Sequence, residues 1–267
     1  DVERSRGLGD VYKRQTHKGT AMLNSQAALA TALNHRSIRK FSEEPISAEM
    51  FDAIIQAGQM ASTSSFLQSV SVIRVTDREK RKQIREVAAG GVPKGHHYVE
   101  NCAEFLVFCI DAHRHHHFAP HAQTDWIEVL MVGAVDVGLF AQNVLLTAES
   151  LGLGGVYIGG VRNDIQRVSD ILNIPEHVIP LLGMCLGHPA HEPDQRPRLP
   201  VQAVLSENEY RAADAETLQS YNQTVGEYYQ NLRGLDLDWN KQINDTLKGE
   251  IRPDMLAYLN KQGFAKR

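Results

Sequence analysis

The stretch AESLGLGGVYIGGVRND, Ala148 to Asp164, admits two incompatible readings, and the choice between them decides the fold class. Gly152 and Gly154 open like the glycine-rich turn of a dinucleotide-binding βαβ unit. However, Tyr157 stands where the third glycine belongs, and the glycines precede the run Val156 to Ile158 instead of joining a strand to a helix. The segment therefore reads as a helix end with Gly152 as its left-handed terminator, then a short strand, then a turn at Gly159 and Gly160. Two glycines at a strand end let backbone amides approach a flat ligand, or they make an ordinary tight turn. Spacing alone leaves both open.

Upstream, a long helix from about Asp125 carries Ala134, Gly138 and Ala141, a stripe that permits close helix packing, a twofold dimer contact being one use of it. Its apolar stretch from Ile127 to Leu151 is interrupted by Glu128, Asp136, Gln142, Asn143 and Glu149, which a bilayer core would penalise. Downstream, Asn163 with Gln166 resembles a capping box opening a helix with Ile165, Val168, Ile171 and Leu172 on one face. Leu181 to Leu186 and Phe105 to Ile110 are continuous apolar runs, the pattern of strands buried on both faces, and Val70 to Val75 is a further strand. Ser47 and Asp77 cap helices running to about Ala61 and Ala89, a helix from Ala21 to Leu33 precedes them, and three helical segments close the chain. Short strands mixed with long helices, without repeat or linker, indicate a single α+β domain over residues 21–267 with a helical extension from about 201 to 267. Residues 1–20 lack an apolar export segment and any periodicity, and are expected to be a disordered or non-native extension.

Composition restricts the function. With 267 residues, 42% of them hydrophobic, the chain can bury a sizeable core, and its net charge of −4 argues against a general nucleic-acid binder. Cys102, Cys109 and Cys185 make neither a disulfide framework nor a zinc ribbon and suit a reducing cytoplasm. His113, His115, His116 and His117 are consecutive enough to diverge, so they read as a solvated polar loop more readily than as metal ligands. Two basic elements remain: HRSIRKF, His35 to Phe41, and RPR, Arg196 to Arg198, where Pro197 stiffens the backbone between two guanidinium groups. Each is either a solvated face or part of an anion socket.

HRSIRKF, ASTSSFLQ, AESLGLGGVYIGGVRND, LLGMCLGHP and RPRLP, in this order, together with the final YLNKQGFAKR, resemble the oxygen-insensitive NADPH nitroreductase and flavin reductase family over about residues 22–267. The resemblance implies an α/β/α sandwich with a mostly antiparallel sheet flanked by helices, built as an intertwined homodimer with FMN at the interface. It implies that His35, Arg36 and Ser37, with Ile38 beside them, lie at the phosphate and ribityl end of FMN and Arg39 near the ring. Arg196 and Arg198 would complete the phosphate site, the first standing where the family has lysine. Thr63, Ser64 and Ser65 correspond to a polar loop that meets the flavin, partly across the dimer interface. Tyr157, Ile158, Gly159 and Gly160 would lie along the ring. His96 stands nearest the place of a family glutamine, and Arg233, one residue later than the family arginine, is the candidate for NADPH.

The expected activity is transfer of two electrons from NADPH, through tightly held FMN, to nitroaromatics, quinones or free flavin by a ping-pong sequence in a cytoplasmic homodimer. No metal, nucleic acid or membrane is expected to take part. The alternatives are a flavin reductase feeding reduced FMN to a partner enzyme and a non-catalytic flavin-binding protein.

Overall fold

The structure, a computed structural model, describes residues 20–267. The expected extension thus lies outside the described residues except for Thr20, which opens helix α1 (Thr20–Leu33). Four strands, β1 (Val70–Arg74), β2 (Glu104–Asp111), β3 (Gly154–Ile158) and β4 (Val178–Gly187), form one sheet in the order β1-β2-β4-β3, every neighbouring pair antiparallel. The fold is α+β, with helices on both faces of this sheet.

Strand β2 explains why. All of its residues are buried, as its continuous apolar run requires. Leu106, Phe108 and Ile110 point into a core with α2 (Ala48–Gln59) and α6 (Ile127–Ser150); Phe105, Val107 and Cys109 point into a second core with α3 (Arg78–Ala89) and α7 (Ile165–Leu172). Side chains alternate across a strand, so an apolar run must be covered twice. Burying each large side chain is worth about 1.5–3 kcal/mol.

Close approach between layers depends on two glycines other than those the sequence singled out. A Cβ on Gly133 would lie 2.4 Å from Ile110, and one on Gly58 2.4 Å from Phe140, so these positions set the α6–sheet and α2–α6 spacings. Of the expected stripe, Ala141 is in the core, Ala134 is half-buried and Gly138 faces open space. The exposed apolar ladder on α6 is instead Ile127, Met131, Val135 and Leu139, each at least 44% exposed and spaced one helical turn apart. Helix α6 is long and apolar enough to cross a membrane, yet its other face packs on the sheet.

The caps at Ser47 and Asp77 form as expected, accepting from the Met50 and Lys80 amides. The cap of α7 does not. Asp164 accepts from the Arg167 amide, while Asn163 turns its side-chain amide to the Val87 and Ala88 carbonyls. The histidine run also differs from its reading as a loop: His113–Phe118 is a short helix, α5, because Asp111 accepts from the His113 and Arg114 amides and caps the turn from outside the run. Its rings are used locally. His115 meets the Leu67 carbonyl, and His116 meets Thr124 and stacks on His177 at 3.9 Å.

Asp136 is a polar anchor inside α6. Only 2% exposed, it accepts from the Thr63 hydroxyl at 2.7 Å, the Ser64 amide at 3.1 Å and the Ser69 hydroxyl at 3.3 Å. These bonds hold a loop in which Ser65, Phe66 and Gln68 all have positive φ, a conformation that costs such residues energy and needs outside support. Replacing Asp136 by Ala is expected to cost about 3 kcal/mol in urea unfolding, since it orphans buried donors to a charged acceptor, and to open residues 64–68 to proteolysis before global unfolding. A pH effect follows from His116, whose pKa is lowered by burial and then by the charges of His177, His115 and His113. The unfolded chain takes up that proton near pH 6.5 and the folded chain only below it, so stability is full above about 6.5 and declines as pH falls toward the folded value. Melting temperatures between pH 7.5 and 5 should show this decline, and His116→Gln should reduce it.

Candidate functional site

The run His35 to Phe41 is clamped on both sides. Ser37 bridges to Gly155 at the outer edge of β3, and the Ile38 amide donates to the Gly155 carbonyl at 2.9 Å. On the other side Ser42 donates to His188, Ala190 donates to Lys40 and Phe41 bridges to Pro189, all in the strip that follows β4. Ile38 turns inward under Gly154, where a Cβ would come within 2.4 Å of it.

The second basic element is brought to the same end. Gln195 donates to the Leu33 carbonyl at 2.8 Å, two residues before the first run. Tyr221 and Tyr228, on α8 (Ala215–Arg233), donate to the Pro197 and Asp194 carbonyls from behind. Arg36, Arg39 and Arg198 each bond a neighbouring backbone carbonyl. Among the described residues, none of Arg36, Arg39, Arg196 and Arg198 has a carboxylate partner, whereas Arg74, Arg85, Arg114, Arg167 and Arg267 are all paired. The two basic segments are thus joined, and four of their guanidinium groups have no carboxylate partner among the described residues. This donor set fits a phosphate-bearing cofactor, because guanidinium groups match phosphate geometry and charge.

Arg39 lies beside His96 and Tyr98. Burial and then the Arg39 charge push the His96 pKa down; burial raises that of Tyr98, against the pull of Arg39. His96 has φ of 54° and its ring tilts against Tyr98 at 5.4 Å. The structure therefore joins His96 to the basic run.

The glycine turn forms the other wall. Tyr157 is exposed and donates to Gln142 on α6, while Ile158, like Ile38, is buried, so both isoleucines present only backbone to a ligand. A Cβ on Gly160 would lie 2.6 Å from the Ala88 carbonyl oxygen, so its glycine is required by the fold itself; Gly159 meets only the far end of Arg162 and borders open space. The turn is locked from below. Arg162 donates to the Leu181 carbonyl, and Arg252 donates to the Gly159 carbonyl at 3.3 Å and to Asn163 at 3.1 Å. Burial and then the charge of Arg252 lower the Arg162 pKa.

Two groups stand apart. Thr63 and Ser64, with Ser65 next in the chain, are held at Asp136, about 20 Å along α6 from Glu149, which meets His35 at 2.6 Å. Within one chain they do not reach the basic run. Arg233 ends α8 on the surface, just before the left-handed Gly234 cap, with no side-chain hydrogen bond among the described residues. The sequence assigns no site role to Glu149, Asp136, Asn163 or Arg252; their positions follow from tertiary contacts.

This geometry has counterparts. The model of the nitroreductase family matches residues 32–101 and 106–188, and that of the nitroreductase family C-terminal domain matches residues 196–267. The chain is 48% identical over 241 residues to an NADPH-flavin oxidoreductase of Vibrio harveyi, covering 90% of this chain and 98% of that protein. It is 46% identical over 236 residues to an oxygen-insensitive NADPH nitroreductase of Salmonella typhimurium, covering 87% and 96%. The solved NADPH:FMN oxidoreductase from Vibrio harveyi complexed with NAD+ superposes with a TM-score of 0.84 at 48% identity, covering 90% of this chain and 100% of that one. With the fold, the two joined basic elements and matches of this extent in agreement, the chain belongs to the nitroreductase family.

Proposed function

We propose that the protein is a cytoplasmic homodimeric oxidoreductase that binds FMN tightly and passes two electrons from NADPH to nitroaromatics, quinones or free flavin. The observation that carries this reading is the set of four arginines without carboxylate partners, Arg36, Arg39, Arg196 and Arg198, pinned at one end of β3. Relatives named as NADPH-dependent flavin and nitro reductases support the activity. Bound FMN supplies the hydride and electron chemistry, so the protein needs no nucleophile or acid pair of its own. Arg36, Ser37, Arg196 and Arg198, with His35, hold the phosphate and ribityl end, and Arg39 with His96 faces the ring. The Gly159–Gly160 turn offers backbone to the ring edge in place of side chains. With FMN bound, the flavin would take the hydride of NADPH and pass it to an acceptor using the same place in turn, a ping-pong order, and Arg233 would hold the NADPH phosphate. One catalytic unit spans residues 21–267, with about 201–267 as its helical extension.

The homodimer is part of the proposal because Thr63–Ser65 cannot reach the basic run of their own chain, while the ladder Ile127, Met131, Val135 and Leu139 offers a second copy an apolar face beside them. Val135→Glu puts a charge in that face and is expected to shift the sedimenting species toward monomer and to weaken FMN binding; a dimer that holds FMN normally would rule this face out.

The cations at the two ends should act differently. If Arg198 grips phosphate, its charge acts alike on oxidised and reduced FMN, so Arg198→Ala is expected to weaken FMN affinity roughly tenfold or more with little change in flavin potential. A cation at the ring favours the anionic reduced state, so Arg39→Ala is expected to lower the two-electron potential by about 30 mV, equivalent to about 1.4 kcal/mol. FMN titration and a reference-dye measurement on both variants test the assignment. An unaltered potential in Arg39→Ala would make that residue another phosphate ligand.

A further inference from the structure

The contact between His35 and Glu149 goes beyond holding a loop. His35 Nδ1 lies 2.6 Å from Glu149 Oε1, and a carboxylate only accepts, so the hydrogen of that bond sits on Nδ1. Nε2 is then the one ring atom whose proton varies. The Glu149 side chain is 11% exposed, and its second oxygen, Oε2, is buried without a partner. A carboxylate in that position costs desolvation that packing alone does not recover, and a neutral imidazole returns little of it.

The charged and titratable groups around this pair are few. Glu149 comes from α6, and Tyr157 from β3, its phenol raised by burial and then by the Glu149 charge. Arg36 comes from the run itself and Glu192 from the strip after β4, and both line the same cavity as Glu149. Arg36 turns one nitrogen back to Asn34 at 2.8 Å. An imidazole is the side-chain type whose charge changes most readily in the neutral range.

We infer that Glu149 is a positioning residue that presents His35 Nε2 to the cofactor phosphate, so that binding FMN takes up one proton from solvent onto Nε2, which then donates to a phosphate oxygen. This rests on the proposed placement of the phosphate beside His35. No bond other than the N–H forms, and no electron moves. The cofactor phosphate neutralises the proton's charge on one side of the ring and Glu149 does so on the other. The surplus charge of the buried carboxylate is thereby matched when the site is filled.

The test compares FMN with riboflavin, which lacks the phosphate, by fluorescence titration of the apoprotein between pH 7.0 and 8.5, above the second phosphate ionisation near 6. Wild-type affinity for FMN is expected to fall about five- to tenfold across this range, up to the limit set by one linked proton per pH unit, while affinity for riboflavin changes less than twofold. Glu149→Gln keeps the shape and a hydrogen-bonding oxygen but not the charge. It is expected to bind FMN at pH 7.0 about as weakly as the wild type does at pH 8.5, with a flat pH profile and unchanged riboflavin affinity. His35→Gln should give the same flat profile and serves if the Glu149 variant loses its native circular dichroism. A Glu149→Gln protein that retains the wild-type slope, or a riboflavin profile as steep as that of FMN, overturns the inference. A wild type that binds neither flavin overturns instead the reading of the site as an FMN site.

Discussion

Burial of β2 on both faces is the constraint from which the rest of the architecture follows. A strand that is apolar on each side must have a layer on each side, and the two cores that result place α2 and α6 on one face and α3 and α7 on the other. The next consequence lies in β4. Pro180 has no amide to give to the ladder, and a proline in an inner strand is tolerated only where the pairing slips. It slips here: Phe108 pairs with Leu182 and Cys109 with Pro180, which leaves Leu181 without an opposite residue. The Leu181 carbonyl is taken by Arg162, and so a defect in the sheet anchors the glycine turn that follows β3.

The electrostatic logic of the site is the reverse of that of the surface. Elsewhere arginines such as Arg167 and Arg267 are spent on carboxylates, pairs worth little individually in water. At the end of β3 the two basic segments meet, and none of Arg36, Arg39, Arg196 and Arg198 has a carboxylate partner among the described residues. Glu149, which lines one cavity with Arg36 and Glu192, meets a histidine instead of an arginine. Arg252 reaches the same region from the far end of the chain and spends its guanidinium on a backbone carbonyl and an amide, a contact that stiffens without cancelling charge.

Much of this was legible from local chemistry. The double burial of β2, the caps at Ser47 and Asp77 and the left-handed Gly152 each depend on residues within a turn of one another. What failed depended on a partner in another element. The histidine helix is capped by Asp111, which belongs to the preceding strand, and Asn163 is drawn from its cap by carbonyls at the end of α3. Which side of α6 meets the sheet is settled by Gly133 against Ile110, a contact that periodicity does not show, and of the small-residue stripe Ala141 and Ala134 pack at the core while Gly138 is exposed. The two basic elements were each visible, but their meeting rests on Gln195 and Leu33, a bond with no signature in either segment. Recognition of the family motifs supplied that link; the residues by themselves left it open.

The strand order also has a history during synthesis. Strands β1 and β2 are neighbours in space and can pair as soon as both exist, whereas β3 leaves the ribosome before β4, the only strand it pairs with in the sheet. Until Val178–Gly187 has been made, β3 presents a bare apolar edge, and β4 must then enter between two segments already in place. Such late, non-local insertion is slow and leaves a nascent chain open to misassociation. The interval between those two strands is therefore where a nascent-chain chaperone has most to protect, and where slowed translation would help the sheet close.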